Sequence, residues 1–177
     1  MPSSFQVHEF EVLRGFSSMA TSKGYTTVFG EWPTWKGPKF LVADTSQDHC
    51  HELAHLAVAA PSRRHLKWLG LGTPGGIFSG FEGPTIVSAD RAMEEEIEAS
   101  LLGILIQRML GGDYVLHWKF HEWHTASQFK ETLNRLRRKG LVERRGLEQP
   151  DGSEKVCWQW TGYFWKESIR EEGEVAC

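Results

Sequence analysis

The chain has 177 residues, of which 40% are hydrophobic and 24% are charged, with a formal net charge of −3. This ordinary globular composition excludes a wholly disordered chain, and three cysteines without a CxxC pair argue against both a disulfide framework and a cysteine zinc site. The longest apolar stretch, near residues 101–106, is far too short to span a bilayer, and the N-terminus has no apolar signal core. We therefore expect a cytoplasmic protein with no membrane partner.

The first part of the chain is predicted to contain a helix, two short strands and a compact second helix. Apolar residues near one face predict a helix within the first twenty residues. Residues 26–29 and 39–43 are predicted strands, separated by a turn region rich in Gly, Pro and Trp. Capping residues then precede a helix over about residues 50–60, which Pro61 ends, and a short helical piece over residues 62–69 follows.

The second part is predicted to contain two longer helices and a strand pair. A loop rich in Gly and Pro leads into the longest helix, over residues 89–110. Another helix is predicted over residues 125–139. Residues 141–145 and 156–160 then form two strands around a Gln-Pro-Asp-Gly turn. Together these elements predict an α+β protein.

The most informative segment is the HExxH pattern from His51 to His55. Residues four apart share one face of a helix, so two imidazoles can bind one metal ion. Glu52 lies one residue further round, where it can act as a general base towards a water at the metal. We therefore predict His51 and His55 as ligands of one divalent ion, Zn or Fe, and Glu52 as the catalytic base.

A third ligand is expected from the acidic run between Glu94 and Glu98. Glu94 falls on the solvent side of the helix and Glu95 is only slightly better placed. Glu96 lies among small residues at the edge of the apolar face, where two helices can approach closely and where a buried carboxylate needs a positive partner. We select Glu96 and keep Glu95 and Glu98 as competitors. The apolar face of this helix is expected to bury Met93, Ile97, Leu101, Ile104 and Leu105.

The same region resembles the elongation factor P hydroxylase family. The resemblance is carried by the HExxH helix, by the Arg63-Arg64 pair, by the Leu69-Gly70 step and by Glu96-Ile97, within roughly residues 44–106. It implies a non-haem metal, with iron expected, and hydroxylation of a modified lysine on a translation factor.

The motif also resembles the ImmA/IrrE metallopeptidases, which are cytoplasmic zinc enzymes that cleave repressors. Here the HELxH helix is followed by Glu96-Ile97-Glu98-Ala99, similar to the Glu-x-Glu-Ala helix of that family. This alignment favours Glu98 as the third ligand. Two histidines and one carboxylate suit either chemistry, because zinc activates water for hydrolysis and iron with open positions activates oxygen.

The C-terminal third is basic and resembles a winged helix. Residues 125–148 contain seven Lys or Arg and three acidic residues, whereas the last eleven residues are acidic. The resemblance places the basic helix before a β-hairpin wing and implies contacts with DNA. The residues predicted to face phosphates and base edges are Lys130, Asn134, Arg137 and Arg138.

We therefore expect a zincin-like metal-binding domain over residues 1–112, and a winged-helix-like unit with an acidic tail over residues 113–177. The leading function is a metal-dependent enzyme that acts on a protein substrate. The alternative from another class is a DNA- or protein-binding regulator whose metal site is structural. His117, His121 and His124 are interpreted as polar margins of an aromatic packing segment rather than as a second metal site.

Overall fold

A computed structural model describes residues 13–18, 20–22, 24, 26–29, 34–35, 40–43, 45–71, 85–113, 126–148 and 153–164. Helices and two small sheets make up most of this part of the chain, which confirms a mixed helix-and-strand protein, compatible with the predicted α+β class. Within the same residues, no helix combines the length and the apolar character that crossing a membrane requires.

A three-stranded sheet precedes the HExxH motif. Its strands are β1 (Thr26–Phe29), β2 (Thr34–Trp35) and β3 (Phe40–Ala43), in the spatial order β1-β3-β2. β3 runs parallel to β1 and antiparallel to β2. Residues 13–18 and 20–22 are helical, as the sequence predicts, and bury Phe16.

The motif helix (Ser46–Val58) carries both histidines and begins before the predicted start. Thr45 caps it, because its hydroxyl accepts a 3.1 Å hydrogen bond from the backbone N–H of Asp48. The helix ends at Val58, and Ala59 and Ala60 are both extended; Ala60 precedes Pro61, and a residue before proline avoids helical geometry. The predicted helical piece that follows consists of two short 3₁₀ turns, Pro61–Arg63 and Lys67–Gly70.

The central helix (Ala89–Met109) packs directly against the motif helix. The two backbones meet at Gly103, where an added Cβ atom would lie only 3.0 Å from the Cα atom of His51. The predicted apolar face is buried except for Met93, which is 56% exposed. That expectation was wrong because the fully buried part of the helix begins only at Glu95, so its first turns protrude.

The C-terminal helix (Ala126–Arg138) leads into a hairpin of β4 (Val142–Glu148) and β5 (Glu154–Trp160). Gly140 ends the helix with a φ of 69°, and the N–H of Leu141 donates a 2.9 Å hydrogen bond back to the carbonyl oxygen of Leu136.

The hydrophobic core includes residues from both predicted domains. Leu136, Leu141 and Trp160 of the C-terminal unit belong to the same cluster of buried residues as Leu53 of the motif helix and Leu102 of the central helix. The boundary near residue 112 stays a prediction, but the two parts share one apolar interior.

Candidate metal centre

The motif helix places its two histidines side by side. The Nε2 atoms of His51 and His55 lie 3.0 Å apart, and their rings are nearly perpendicular, with centroids separated by 4.6 Å. This is the geometry expected of residues one helical turn apart. Both side chains are mostly buried, so the Nε2 atoms form a small polar spot on an otherwise apolar helix face.

Glu96 approaches this spot from the central helix. One carboxylate oxygen lies 3.1 Å from Nε2 of His51, and the other lies 3.1 Å from Nε2 of His55. The Glu96 side chain keeps 40% of its surface exposed, so the cluster is reached from solvent on that side. The close contact at Gly103 brings the two helices near enough for this arrangement.

The three side chains fit a metal ion in chemistry and in size. Two imidazoles and one carboxylate are the protein ligands of many catalytic zinc sites, which keep the fourth position open. Tetrahedral bonds of about 2.0–2.1 Å separate neighbouring ligand atoms by roughly 3.3 Å. The two Nε2 atoms, 3.0 Å apart, are close to that separation, and each lies 3.1 Å from a different carboxylate oxygen of Glu96. Among the residues that the structure describes, His51, His55 and Glu96 form the group of donors that could hold an ion.

Within the cluster, the negative charge of Glu96 and the positive charge of a protonated histidine stabilise each other. Burial disfavours the charged form of His55, yet the facing Glu96 carboxylate, with Glu52 and Glu95, raises the pKa of His55 to about 9. Burial also opposes ionisation of Glu96, but His55 and His51 hold the pKa of Glu96 well below its ordinary value. Without an ion, the cluster is therefore a carboxylate that faces a protonated histidine. A bound cation would replace that proton.

Glu52 lies beside the cluster without joining the group of ligands. Burial raises the pKa of Glu52 above its ordinary value, although the nearby histidines oppose this shift. A carboxyl group with a raised pKa can hold a proton closer to neutral pH than a solvated glutamate can. This is the property that a general base and proton carrier requires.

The other glutamates of the acidic run have different partners. Glu94 pairs with Arg91 at 3.2 Å on the outside of the helix. Glu95 was expected near the solvent side, but it is fully buried in an ion pair with Arg63. The Arg63 side chain also donates a 2.8 Å hydrogen bond to the carbonyl oxygen of Leu69, so it fixes the turn after the motif helix to the central helix.

Glu98 is also fully buried, on the side of the central helix that faces the C-terminal helix. Its two carboxylate oxygens accept a 2.7 Å hydrogen bond from Nζ of Lys139 and a 2.9 Å hydrogen bond from Nε of Arg135. Of the three competing glutamates, the structure thus brings only Glu96 to the two histidines.

Sequence reasoning missed the buried ion pairs, although one signal pointed to them. Glu95 and Glu98 fall among apolar positions of the helix, where a carboxylate requires a cationic partner. His49 and Cys50, next to the motif, are buried and do not belong to the cluster; Nδ1 of His49 lies 2.8 Å from the carbonyl oxygen of Thr45. His117, His121 and His124 lie outside the described residues.

The predicted DNA-facing residues lie together on the outside of the C-terminal helix. Lys130, Asn134, Arg137 and Arg138 are all exposed there. They belong to a different surface from the histidine–glutamate cluster, because they lie on the outward side of a helix whose inward side meets the central helix.

Comparisons of the chain with known protein families, with curated proteins and with solved structures found no match. The interpretation of the site therefore depends on its own geometry and chemistry.

Proposed function

We propose that the protein is a metal-dependent hydrolase that acts on a protein substrate. His51, His55 and Glu96 would hold one divalent ion, with zinc the preferred metal, and Glu52 would serve as general base. The observation that carries this proposal is the meeting of three donor groups, from two helices, at separations of 3.0–3.1 Å. The two Nε2 atoms are spaced as in a tetrahedral metal site, and each of them faces its own carboxylate oxygen of Glu96.

Glu52 supplies the proton chemistry of this proposal. Zinc held by His51, His55 and Glu96 would supply a bound water of near-neutral pKa and a Lewis acid for the carbonyl group of the substrate. The Glu52 carboxylate accepts the proton of the attacking water and then donates it to the leaving amine. Burial raises the pKa of Glu52, which favours holding the accepted proton until the amine leaves.

The substrate class and the finer fold description come from the resemblances. Similarity of the motif to the ImmA/IrrE metallopeptidases supports a peptide bond as the target and a cytoplasmic location. A zincin-like fold for the metal-binding part is supported by strand β3, which leads into the HExxH helix. A winged-helix-like fold for the C-terminal part is supported by the order of basic helix and hairpin.

Hydroxylation by a non-haem iron centre is the second candidate. Two histidines and a carboxylate also bind iron in oxygenases, so the same cluster supports it. The Arg63-Arg64 pair, which carries the resemblance to the elongation factor P hydroxylases, has an internal role in this chain. Arg63 pairs with Glu95, while Arg64 donates a hydrogen bond to the carbonyl oxygen of Ala59 and lies over the ring of Phe164. Both arginines thus have partners within the chain, so their presence does not require a hydroxylase substrate. We therefore favour hydrolysis.

Metal analysis of the full chain, purified without added metal, tests the proposal. We expect about one zinc per chain, lost in His51→Ala and His55→Ala and retained in His65→Ala, which removes an exposed histidine. Glu52→Gln should keep the metal and lose cleavage of a library of quenched fluorescent peptides, because an amide cannot accept the proton. Full turnover by Glu52→Gln would refute the hydrolytic assignment. Iron in place of zinc would support the hydroxylase, and absence of any metal would refute both.

A further inference from the structure

The basic residues of the C-terminal helix fall into two groups. Arg135 and Lys139 point inward, where both pair with the buried carboxylate of Glu98. Lys130, Arg137 and Arg138 point outward and are exposed. In the part of the chain that the structure describes, no acidic side chain pairs with any of these three. Arg135 also pairs with Glu131, so the two inner cations face two carboxylates, whereas the outer charges are available to a partner.

The hairpin that follows carries further cations, Arg145 and Lys155 on one of its faces and Arg144 on the other. Arg144, Arg145 and Lys155 are exposed on β4 and β5. Arg145 pairs with Glu143, and the guanidinium of Arg144 lies 5.9 Å from the centre of the Trp158 ring. Because β4 begins directly after the turn at Gly140, the helix and the hairpin present their cations on adjoining elements.

We propose that this surface, formed by the outer face of the C-terminal helix and by hairpin β4–β5, binds the phosphate backbone of double-stranded DNA. This function goes beyond the proposed hydrolase and does not depend on the metal site. It uses none of the residues that would hold the ion or move the proton.

The chemistry of the outer face selects nucleic acid over a protein or a membrane. Its exposed positions are all polar: Lys130, Glu131, Asn134, Arg137 and Arg138. The centre of a protein–protein interface is instead depleted in charge and rich in aromatic and apolar groups, whereas protein–DNA interfaces are polar and strongly positive. Insertion into a membrane would need the apolar face of the helix, but Leu133 and Leu136 of that face are buried in the core.

The shape of the surface selects the duplex over a single strand. Proteins that bind single strands stack bases on exposed aromatic side chains, and the outer face of the helix carries none. A helix fits the major groove of B-DNA, which is about 12 Å wide. Asn134 lies one turn from both Lys130 and Arg138, so its amide would face base edges while the cations contact phosphates. The ion pairs of Glu98 fix the inward side of the C-terminal helix to the central helix. The helix is therefore already ordered before DNA binds, and binding costs little conformational entropy.

The test is fluorescence anisotropy of the full chain with a labelled duplex of about two helical turns, measured from about 50 to 200 mM salt. The probe is used in two unrelated sequences, together with its isolated single strand. We expect the logarithm of the association constant to fall with the logarithm of salt concentration with a slope of about −3 to −5, because three to five basic side chains displace counterions. Arg137→Ala and Arg138→Ala should each reduce the slope by about 1 and weaken binding to both duplexes.

Arg14→Ala is the matched control, because it removes the same charge from an exposed arginine on the N-terminal helical residues. It should leave the slope unchanged. Circular dichroism and metal content should be equal in all three variants, so that a loss of binding is not a loss of folding. The proposal is overturned if no duplex binds at the lowest salt, if Arg14→Ala lowers the slope as much as Arg137→Ala does, or if the single strand binds more tightly than the duplex.

Discussion

The contact between the central helix and the motif helix at Gly103 controls the geometry of the candidate metal site. In Gly103→Ala, the new methyl group would lie 3.0 Å from Cα and 3.1 Å from N of His51. Both atoms belong to the backbone, so no side chain can rotate away. The helices must instead separate by a few tenths of an ångström, which moves His51 away from Glu96.

Two opposing effects set the change in stability. Overpacking of a well-packed interface costs about 1–3 kcal/mol, and replacing glycine with alanine inside a helix recovers about 1 kcal/mol. The net loss in the free energy of unfolding should therefore be between about 0 and 2 kcal/mol. The effect on metal affinity should be larger than the effect on stability, because metal–ligand distances tolerate only about 0.2 Å of error. We expect metal affinity to fall by about 10- to 100-fold, as for changes that disturb ligand orientation.

Metal affinity is measured by competition with a chromophoric chelator, and stability is measured by urea denaturation of the metal-free protein. Gly15→Ala is the matched control, because among the described residues its new methyl group would meet the side chain of Leu110, at 3.3 Å, and no backbone atom. It should keep the metal affinity of the unsubstituted chain. If Gly103→Ala bound zinc as tightly as Gly15→Ala does, the approach of the two helices would not set the position of the ligands.

Two further predictions concern the acidic run and the protons of the site. Glu96→Gln should lose stoichiometric metal and should also lower the stability of the metal-free protein at pH 7, because the protonated His55 loses its facing carboxylate. Glu98→Gln should instead keep metal and lose about 3–5 kcal/mol in denaturant unfolding, because Lys139 stays buried without its carboxylate. The reverse pattern of metal content would assign the third ligand to Glu98. The pKa of His55 is raised to about 9, so this histidine is protonated at pH 7 in the metal-free protein. Zinc binding should therefore release about one proton from His55. For the same reason, the affinity for zinc should rise with pH up to about 9. Calorimetry in buffers of different ionisation enthalpy measures that proton, and a zinc-binding enthalpy that does not vary with the buffer would contradict the histidine–glutamate pairing.

The sequence was sufficient to predict the local features that depend on short spacing. The helix around His51 follows from its capping residues and from Pro61, and both histidines share a face because they are four residues apart. Glu96 could be chosen over its neighbours because only it stands among small residues at the edge of the apolar face. Strands β1 and β3 were predicted, but β2 lies in the segment predicted as a turn, and the parallel pairing of β1 with β3 was not predicted.

Features that depend on distant partners could not be predicted in the same way. Lys139 belongs to a run of basic residues that is typical of a solvated surface, yet it is fully buried. Its burial depends on Glu98, which lies 41 positions earlier in the chain. Met93 has the spacing of a core residue, but it is exposed. Its burial would require another element to pack against the first turns of the central helix, and the spacing of apolar residues does not indicate whether such an element is present.

The ion pairs of Glu98 also limit how this protein can be divided and how it can diverge. A shortened chain that ended near residue 112 would leave that carboxylate in an apolar interface with neither Lys139 nor Arg135 to neutralise it. The predicted metal-binding half should therefore express poorly alone and recover when the C-terminal half is supplied as a separate polypeptide. Among homologous chains, positions 98 and 139 should change together, as an acid with a base or as two apolar residues, because either member alone is costly to bury.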